Sequence, residues 1–337
     1  MQETSNQQHW PLSAELVAVL VAIQNGSPCV LTTHCARTLP SGALQTQHRS
    51  LQNGLRLWVE QQTGHELGYV EQLYTFADKG RAYLTGGRVI SVSYLALTHD
   101  DSQAQDPDSD SIPEVGWQRW YRYFPWEDWR TGKPALLDDY IEPQLAQWIE
   151  AAPDQGVQAL RHQRVSLAYG LDGYGWNEDM VLQRYELLYE ARLVPEAWRD
   201  AELFDPEQAP LFDEAAWFEQ HARHRLGPPM RFDHRRILAT AMARLRAKIK
   251  YRPVVFELMP EEFSLLQLQQ GVEALAGRVL HKQNFRRLIE QQELVEETGQ
   301  RVTGNAGRPA KLYRFRGDVI LERAIAGTKL PLARQPR

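Results

Sequence analysis

The sequence predicts an α+β protein in two parts. Strands packed around a helix form the front, and a helix–turn–helix with a two-stranded wing forms the C-terminal end. Three observations predict this. Strand-length apolar runs occupy the first hundred residues, at 16–23, 29–33, 69–76 and 88–97. The charge changes sign along the chain: residues 231–337 hold 21 Lys and Arg against 11 Asp and Glu, and residues 1–230 hold 17 against 32. The last quarter, Phe263 to Arg316, reads as helix, turn, basic helix and basic hairpin, and closes on Gly-Arg-Pro-Ala-Lys-Leu-Tyr-Arg-Phe at 307–315.

The front elements follow in order. Residues 16–23 form an apolar strand, Asn25-Gly26 is a tight-turn signal, and 29–33 return as a hairpin. A helix over 50–63 places Leu51, Leu55, Trp58, Val59 and Gln62 at helical spacing, and Gly64 stops it. Strands at 69–76 and 88–97 come next. Residues 100–113 are acidic and almost free of apolar side chains, which predicts a solvated loop. Residues 117–129 carry seven aromatic residues; such a cluster serves as core or interface, or stacks on a base. Helices are expected at 139–151 and 178–191, with a flexible loop at 170–176. Pro228-Pro229 breaks the chain where the charge changes sign, and Asp233 is placed to cap a helix that lines up Ile237, Ala241, Leu245 and Ile249.

Composition excludes several classes. A length of 337 residues suits two domains, and 43% hydrophobic with 24% charged residues is ordinary for a soluble protein. No run of about 18 apolar residues exists, so no membrane span is expected. The polar start, Met1 to Trp10, lacks a signal-peptide core. Cys29 and Cys35 are not spaced as a zinc or redox motif, which fits a reducing cytoplasm. The 170–176 segment lacks the Lys and Ser/Thr of a phosphate loop. No catalytic residue, metal site or cofactor is assigned from spacing, and His234 is read as a structural contact.

The front resembles the Nudix hydrolase fold, on the strength of Leu39-Pro40-Ser41-Gly42 leading into a helix flanked by strands. That family's box, G-x5-E-x7-R-E-U-x-E-E-x-G-U, holds divalent metal with glutamates, because a hard cation bound to a diphosphate needs anionic oxygen ligands. With Gly64 as the terminal glycine, the glutamate positions are Arg49, Trp58, Gln61 and Gln62. One residue earlier they become His48, Leu57, Glu60 and Gln61. Neither register keeps a cluster of carboxylates, so no metal-dependent hydrolysis is expected. The cleft is left as a ligand pocket. Arg81 and Arg88 are the candidate diphosphate contacts, and the competing reading makes them solubilising loop arginines.

In the C-terminal part, Ser264 caps a first helix over 263–276 and Gly277 ends it. The second helix, 281–292, turns Phe285, Leu288 and Ile289 inward. Lys282, Gln283, Asn284, Arg286 and Arg287 are then free to read base edges or hold phosphate. Thr298-Gly299 is expected to open the wing, in which Arg308 and Lys311 are candidate phosphate contacts. The bland alternative for each cation is a solvated face.

Four motifs in this order extend the resemblance: Phe232 to Ile237 (FDHRRI), Phe263, Leu265 and Leu268 (FxLxxL), Asn284 to Arg287 (NFRR), and the 307–315 segment. Together they are similar to the Nudix-related transcriptional regulators of bacterial NAD metabolism. The resemblance implies a Nudix-like α/β/α sandwich followed by a winged helix-turn-helix. It implies three segments: an effector-sensing domain with an enlarged centre at 1–230, a connecting helix at 231–252 and a DNA-binding domain at 253–337. It also implies a repressor of NAD metabolism genes, an NAD-related adenine nucleotide such as ADP-ribose as effector, double-stranded operator DNA as partner, and a homodimer. Two other classes stay open. One is an active Nudix pyrophosphohydrolase with a regulatory DNA-binding tail, and the other is a winged helix that binds protein.

Overall fold

The structure is a computed structural model that describes residues 12–77, 88–99, 112–204, 226–249, 254–302 and 310–317. Its centre is a six-stranded sheet with β1 (Leu12–Gln24) in the middle. On one side β1 pairs antiparallel with β2 (Ser27–Thr33), through a turn in which Asn25 and Gly26 both have positive φ. That is the turn whose twist matches the strands it joins. The short β3 (Ser41–Ala43) also pairs with β1. On the other side β5 (Arg88–Leu97) runs parallel to β1, and β4 (Tyr69–Phe76) closes that edge. The opposite edge is β6 (Val115–Arg119), paired with β2.

Every residue from Leu16 to Ala22 is fully buried, so both faces of β1 are covered. The two-residue alternation of a strand sorts them. Leu16, Ala18 and Leu20 face α1 (Leu51–Thr63) and pack with Leu55 and Val59. Val17, Val19 and Val21 enter the larger cluster on the other face, with Ile237, Leu238 and Ala241 of α6 (His234–Ile249). This makes the sandwich. Gly64 ends α1 in the left-handed conformation, as expected, and the structure adds a cap at its start, where Ser50 accepts from the Asn53 N–H.

In the chain between β6 and α6, the described residues include α2 (Glu142–Glu150), α3 (Gln155–Tyr169), α4 (Val181–Glu190) and α5 (Pro195–Phe204). Trp120, Tyr123, Phe124 and Trp126 are fully buried among them, so the aromatic stretch is core. The 170–176 segment is pinned: Trp176 stacks on Trp129 at 4.4 Å, and the Arg184 guanidinium sits 3.8 Å from the Trp176 ring centroid. The 100–113 loop lies outside the described residues. Among the described residues no helix is long and apolar enough to cross a membrane.

α6 begins directly after Asp233 and is stitched to the sheet by His234. The Leu39 backbone N–H donates to His234 Nδ1 at 2.8 Å, so that nitrogen is unprotonated. Burial pushes the His234 pKa down to about 3, and Arg199 and His34 add to the shift. The folded chain therefore resists taking up a proton that the unfolded chain accepts. Stability from this group is complete above its ordinary value of 6.5 and drains away as pH falls from there toward 3. His234→Gln should destabilise the protein at pH 7.5 yet flatten its stability profile below pH 6.5. The slope removed approaches about 1.4 kcal/mol per pH unit. Denaturant unfolding of both proteins across that range checks it, and parallel profiles would refute the assignment.

Candidate nucleic-acid interface

The C-terminal part folds as α7 (Leu265–Ala276), α8 (Lys282–Gln291), β7 (Val295–Val302) and β8 (Ala310–Phe315). Ser264 and Gln267 form a reciprocal capping box at the start of α7, and Gly277 ends it with φ +71°. The wing is tied back to this helix pair. Phe263 and Tyr313 exchange backbone hydrogen bonds of 2.9 and 2.8 Å, and the Phe263 and Phe315 rings lie 4.7 Å apart.

α8 buries Phe285 and Ile289 and presents Lys282, Gln283, Asn284, Arg286 and Arg287 to solvent. None of these five has a hydrogen-bonding or ionic partner among the described residues. Leu288 departs from expectation: it is 49% exposed, because the inward arc of this short helix is filled by Phe285 and Ile289. The wing differs in charge. Lys311 pairs with Glu297 at 2.6 Å, Arg314 with Glu296 at 2.7 Å and Arg316 with Glu293 at 3.3 Å. Thr298-Gly299 also departs from expectation. It forms a bulge inside β7, where Gly299 takes φ +81°, and the strand continues past it to Val302. Arg308 lies outside the described residues.

A buried polar junction fixes this reader to the front. Helix ends leave carbonyls without partners, and here the end of α7 borrows donors from elsewhere in the chain. The Tyr121 hydroxyl donates to the Ala274 carbonyl at 2.7 Å, Arg246 Nε to Leu275 at 3.0 Å, and the Trp129 N–H to Gly277 at 2.6 Å. Arg246, on α6, also donates to the Glu127 carboxylate at 2.6 Å, and Arg184 on α4 grips that carboxylate at 2.5 and 2.8 Å. All three side chains are fully buried. Burial works to raise the Glu127 pKa, but Arg184 and then Arg246 outweigh it, and the carboxyl stays below its ordinary value. Sequence reading missed this triad. Its available signal was a charge inside an apolar stripe: Arg246 continues the Leu238–Met242 row of α6, and Arg184 sits beside Val181 and Tyr185.

On the front, α1 turns its polar side chains onto β3. Gln62 accepts from the Ser41 N–H at 3.1 Å and donates to the Ser41 carbonyl at 2.6 Å. The Trp58 indole donates to Ala43 at 2.9 Å and covers Gly42. Glu15 of β1 is a second group unseen in the sequence. Burial raises its pKa, against hydrogen bonds from Ser41 and Ser91. Arg88 opens β5, and Arg81 lies outside the described residues.

A two-faced sheet sandwich joined to a winged helix defines the class: a Nudix-like fold carrying a DNA-reader type of module. The comparisons agree. Residues 255–315 match the family model of the NrtR DNA-binding winged helix domain. The chain is 30% identical over 190 residues to the ADPR responsive transcriptional repressor NtrR of Acinetobacter baylyi, spanning 51% of this chain and 71% of that protein. The crystal structure of Shewanella oneidensis NrtR complexed with a 27mer DNA is similar at TM-score 0.51 and 20% identity, over 91% of this chain and 94% of that one. The chain belongs to the NrtR family of Nudix-related transcriptional regulators.

The junction makes a sharp demand on Gly277. A Cβ there would overlap the Glu127 carbonyl oxygen and lie 2.8 Å from both Arg246 Nη2 and the Tyr121 hydroxyl. Gly299 has a similar φ but open space around it. Gly299→Ala should therefore cost about 1–2 kcal/mol, and Gly277→Ala at least about 3 kcal/mol. Equal losses in denaturant unfolding would mean that the close approach at Gly277 is unimportant.

Proposed function

We propose that the protein is an ADP-ribose-responsive transcriptional repressor that reads its operator through α8. The observation that carries this is the unpaired polar and basic face of α8, Lys282 to Arg287, in the segment that matches the NrtR winged helix. Arg286 and Arg287 can hold phosphate or guanine, and Gln283 and Asn284 have the donor–acceptor pairs that read adenine. Arg308 and Lys311 are assigned to the phosphate backbone, with Lys311 first leaving Glu297. The relative's name, an ADPR responsive repressor, supports ADP-ribose as effector and a negative sign of control. Genes of NAD metabolism are the proposed targets, in the cytoplasm. A homodimer would set two copies of α8 on half-sites one helical turn, about 34 Å, apart.

The front is proposed to bind nucleotide without hydrolysing it. Two observations support the register that ends the box at Gly64: its left-handed cap, and the complete burial of Val59 at the apolar position. In that register Trp58 and Gln62 stand where metal-binding glutamates would, and both are engaged with β3. Arg81 and Arg88 are proposed to hold the diphosphate, in keeping with their setting beside the start of β5.

Two measurements test this reading. On an operator selected from genomic DNA by the protein itself, Arg286→Ala and Arg287→Ala should each weaken binding about tenfold or more and lower the salt slope by about one. Their thermal midpoints should match wild type. Unchanged affinity in both variants would remove α8 from the interface. Separately, ADP-ribose should raise the thermal midpoint of the protein, and magnesium should not switch on its turnover. Magnesium-dependent hydrolysis by pure protein would move the front into the enzyme class.

A further inference from the structure

A cavity of about 460 Å³ lies behind α8 and is separate from the nucleotide-binding front: neither α1 nor the β4–β5 edge contributes to its walls. Its volume falls within the roughly 300–1,000 Å³ of small-molecule sites. One wall is a single face of α7, Leu268, Val272 and Ala276, spaced four apart. Facing it is the Phe285, Leu288 and Ile289 face of α8. Ile249 and Val255 close one end, and Phe315 of the wing closes another. The cavity thus lies between two helical faces, beside the junction at the end of α7. Leu288, half exposed, lies in the lining on α8.

The polar groups of this cavity differ in availability. The Arg246 guanidinium is committed to Glu127, Tyr121 and the Leu275 and Glu178 carbonyls. Arg278 is not. Its side chain is 54% exposed, and its one side-chain ion pair among the described residues is at 3.3 Å with Glu178, which also lines the cavity. A guanidinium offers five N–H donors, so one ion pair leaves Arg278 able to take a second anion. Apolar walls with one available cation at the rim select a ligand that is apolar at one end and anionic at the other.

We propose that this cavity is a second ligand site, and that it takes a small aromatic or branched aliphatic anion with its acid group on Arg278. The ligand would touch α7, α8 and the wing base together, and so would report to the helix proposed to read DNA by a route independent of the front.

Two fluorescent probes of one shape test it on the full chain: 1-anilinonaphthalene-8-sulfonate and its uncharged counterpart N-phenyl-1-naphthylamine. Wild type should bind one equivalent of each. Ala276→Phe, which fills the cavity, should weaken both at least tenfold. Leu288→Asp in the α8 lining should do the same, and it serves if the filled variant does not fold. Arg278→Gln should weaken the sulfonate about tenfold and leave the neutral probe within twofold. No binding to wild type, or binding that neither Ala276→Phe nor Leu288→Asp disturbs, overturns the site. Equal effects of Arg278→Gln on both probes overturn the anionic ligand class. These readouts need neither DNA nor nucleotide, so they fail or succeed apart from the proposed function.

Discussion

A helix that ends inside a protein must find partners for its last carbonyls, and α7 finds them on three other segments. Tyr121, Trp129 and Arg246 supply the donors, and none of them belongs to the winged helix. Arg246 can do this only because Glu127 neutralises it, and Glu127 is held in turn by Arg184. An ion pair so fully desolvated contributes little net stability when intact, but removing one partner leaves a buried charge, at about 3–5 kcal/mol. The triad is therefore better understood as specifying an arrangement than as adding stability. It helps to set where α7 stops. The same close approach creates the demand for glycine at position 277, and Arg246 also lines the cavity behind α8.

Charge is distributed in two ways on the reader. The wing pairs each of Lys311, Arg314 and Arg316 with a glutamate on its neighbouring strand or at its base. α8 leaves its cations unpaired and carries no acid until Glu290. Exposed pairs such as those of the wing are worth under about 1 kcal/mol each, so a phosphate can displace the carboxylate without large loss. In the proposed complex, the unpaired cations of α8 would draw the phosphates first and the paired cations of the wing would join on contact. The front shows a comparable redeployment. On α1, Trp58 and Gln62 fasten β3 to the helix.

The sequence disclosed what local chemistry encodes. Asn25-Gly26 announced its turn, Gly64 ended α1, and Ser264 and Gly277 bounded α7, because caps and tight turns depend on residues a few positions apart. The strands at 69–76 and 88–97 were visible to the residue. α3 was not legible: it spreads Leu160 and Leu167 to solvent and carries Gly156 in its first turn, so no apolar stripe marks it. The Thr298-Gly299 bulge looked like a turn because glycine with positive φ serves both. The α8 face could be listed residue by residue, since each is near the others in sequence. The Glu127 triad could not, since its members are 57 and 119 residues apart and pair only through the tertiary fold.

This arrangement constrains how a signal could travel. One apolar cluster runs without a break from Val21 and Val30 of the sheet through Met259 and Phe263 to Phe285 and Ile289 of the reader. The winged helix is therefore no bead on a tether. Swinging it away from the front would strip Arg246 of its α7 partner while the guanidinium stays buried, and would leave the Ala274 and Leu275 carbonyls unpaired. Each buried unpaired group costs about 1–3 kcal/mol, and the charged one more. Coupling between ligand and DNA sites is typically about 1–3 kcal/mol. That is too little to open the junction and still bias binding. In the proposed dimer, rotating whole chains relative to each other breaks none of these bonds, so it is the less costly route. The spacing of two α8 helices would change while the path from sheet to reader stays intact within each chain.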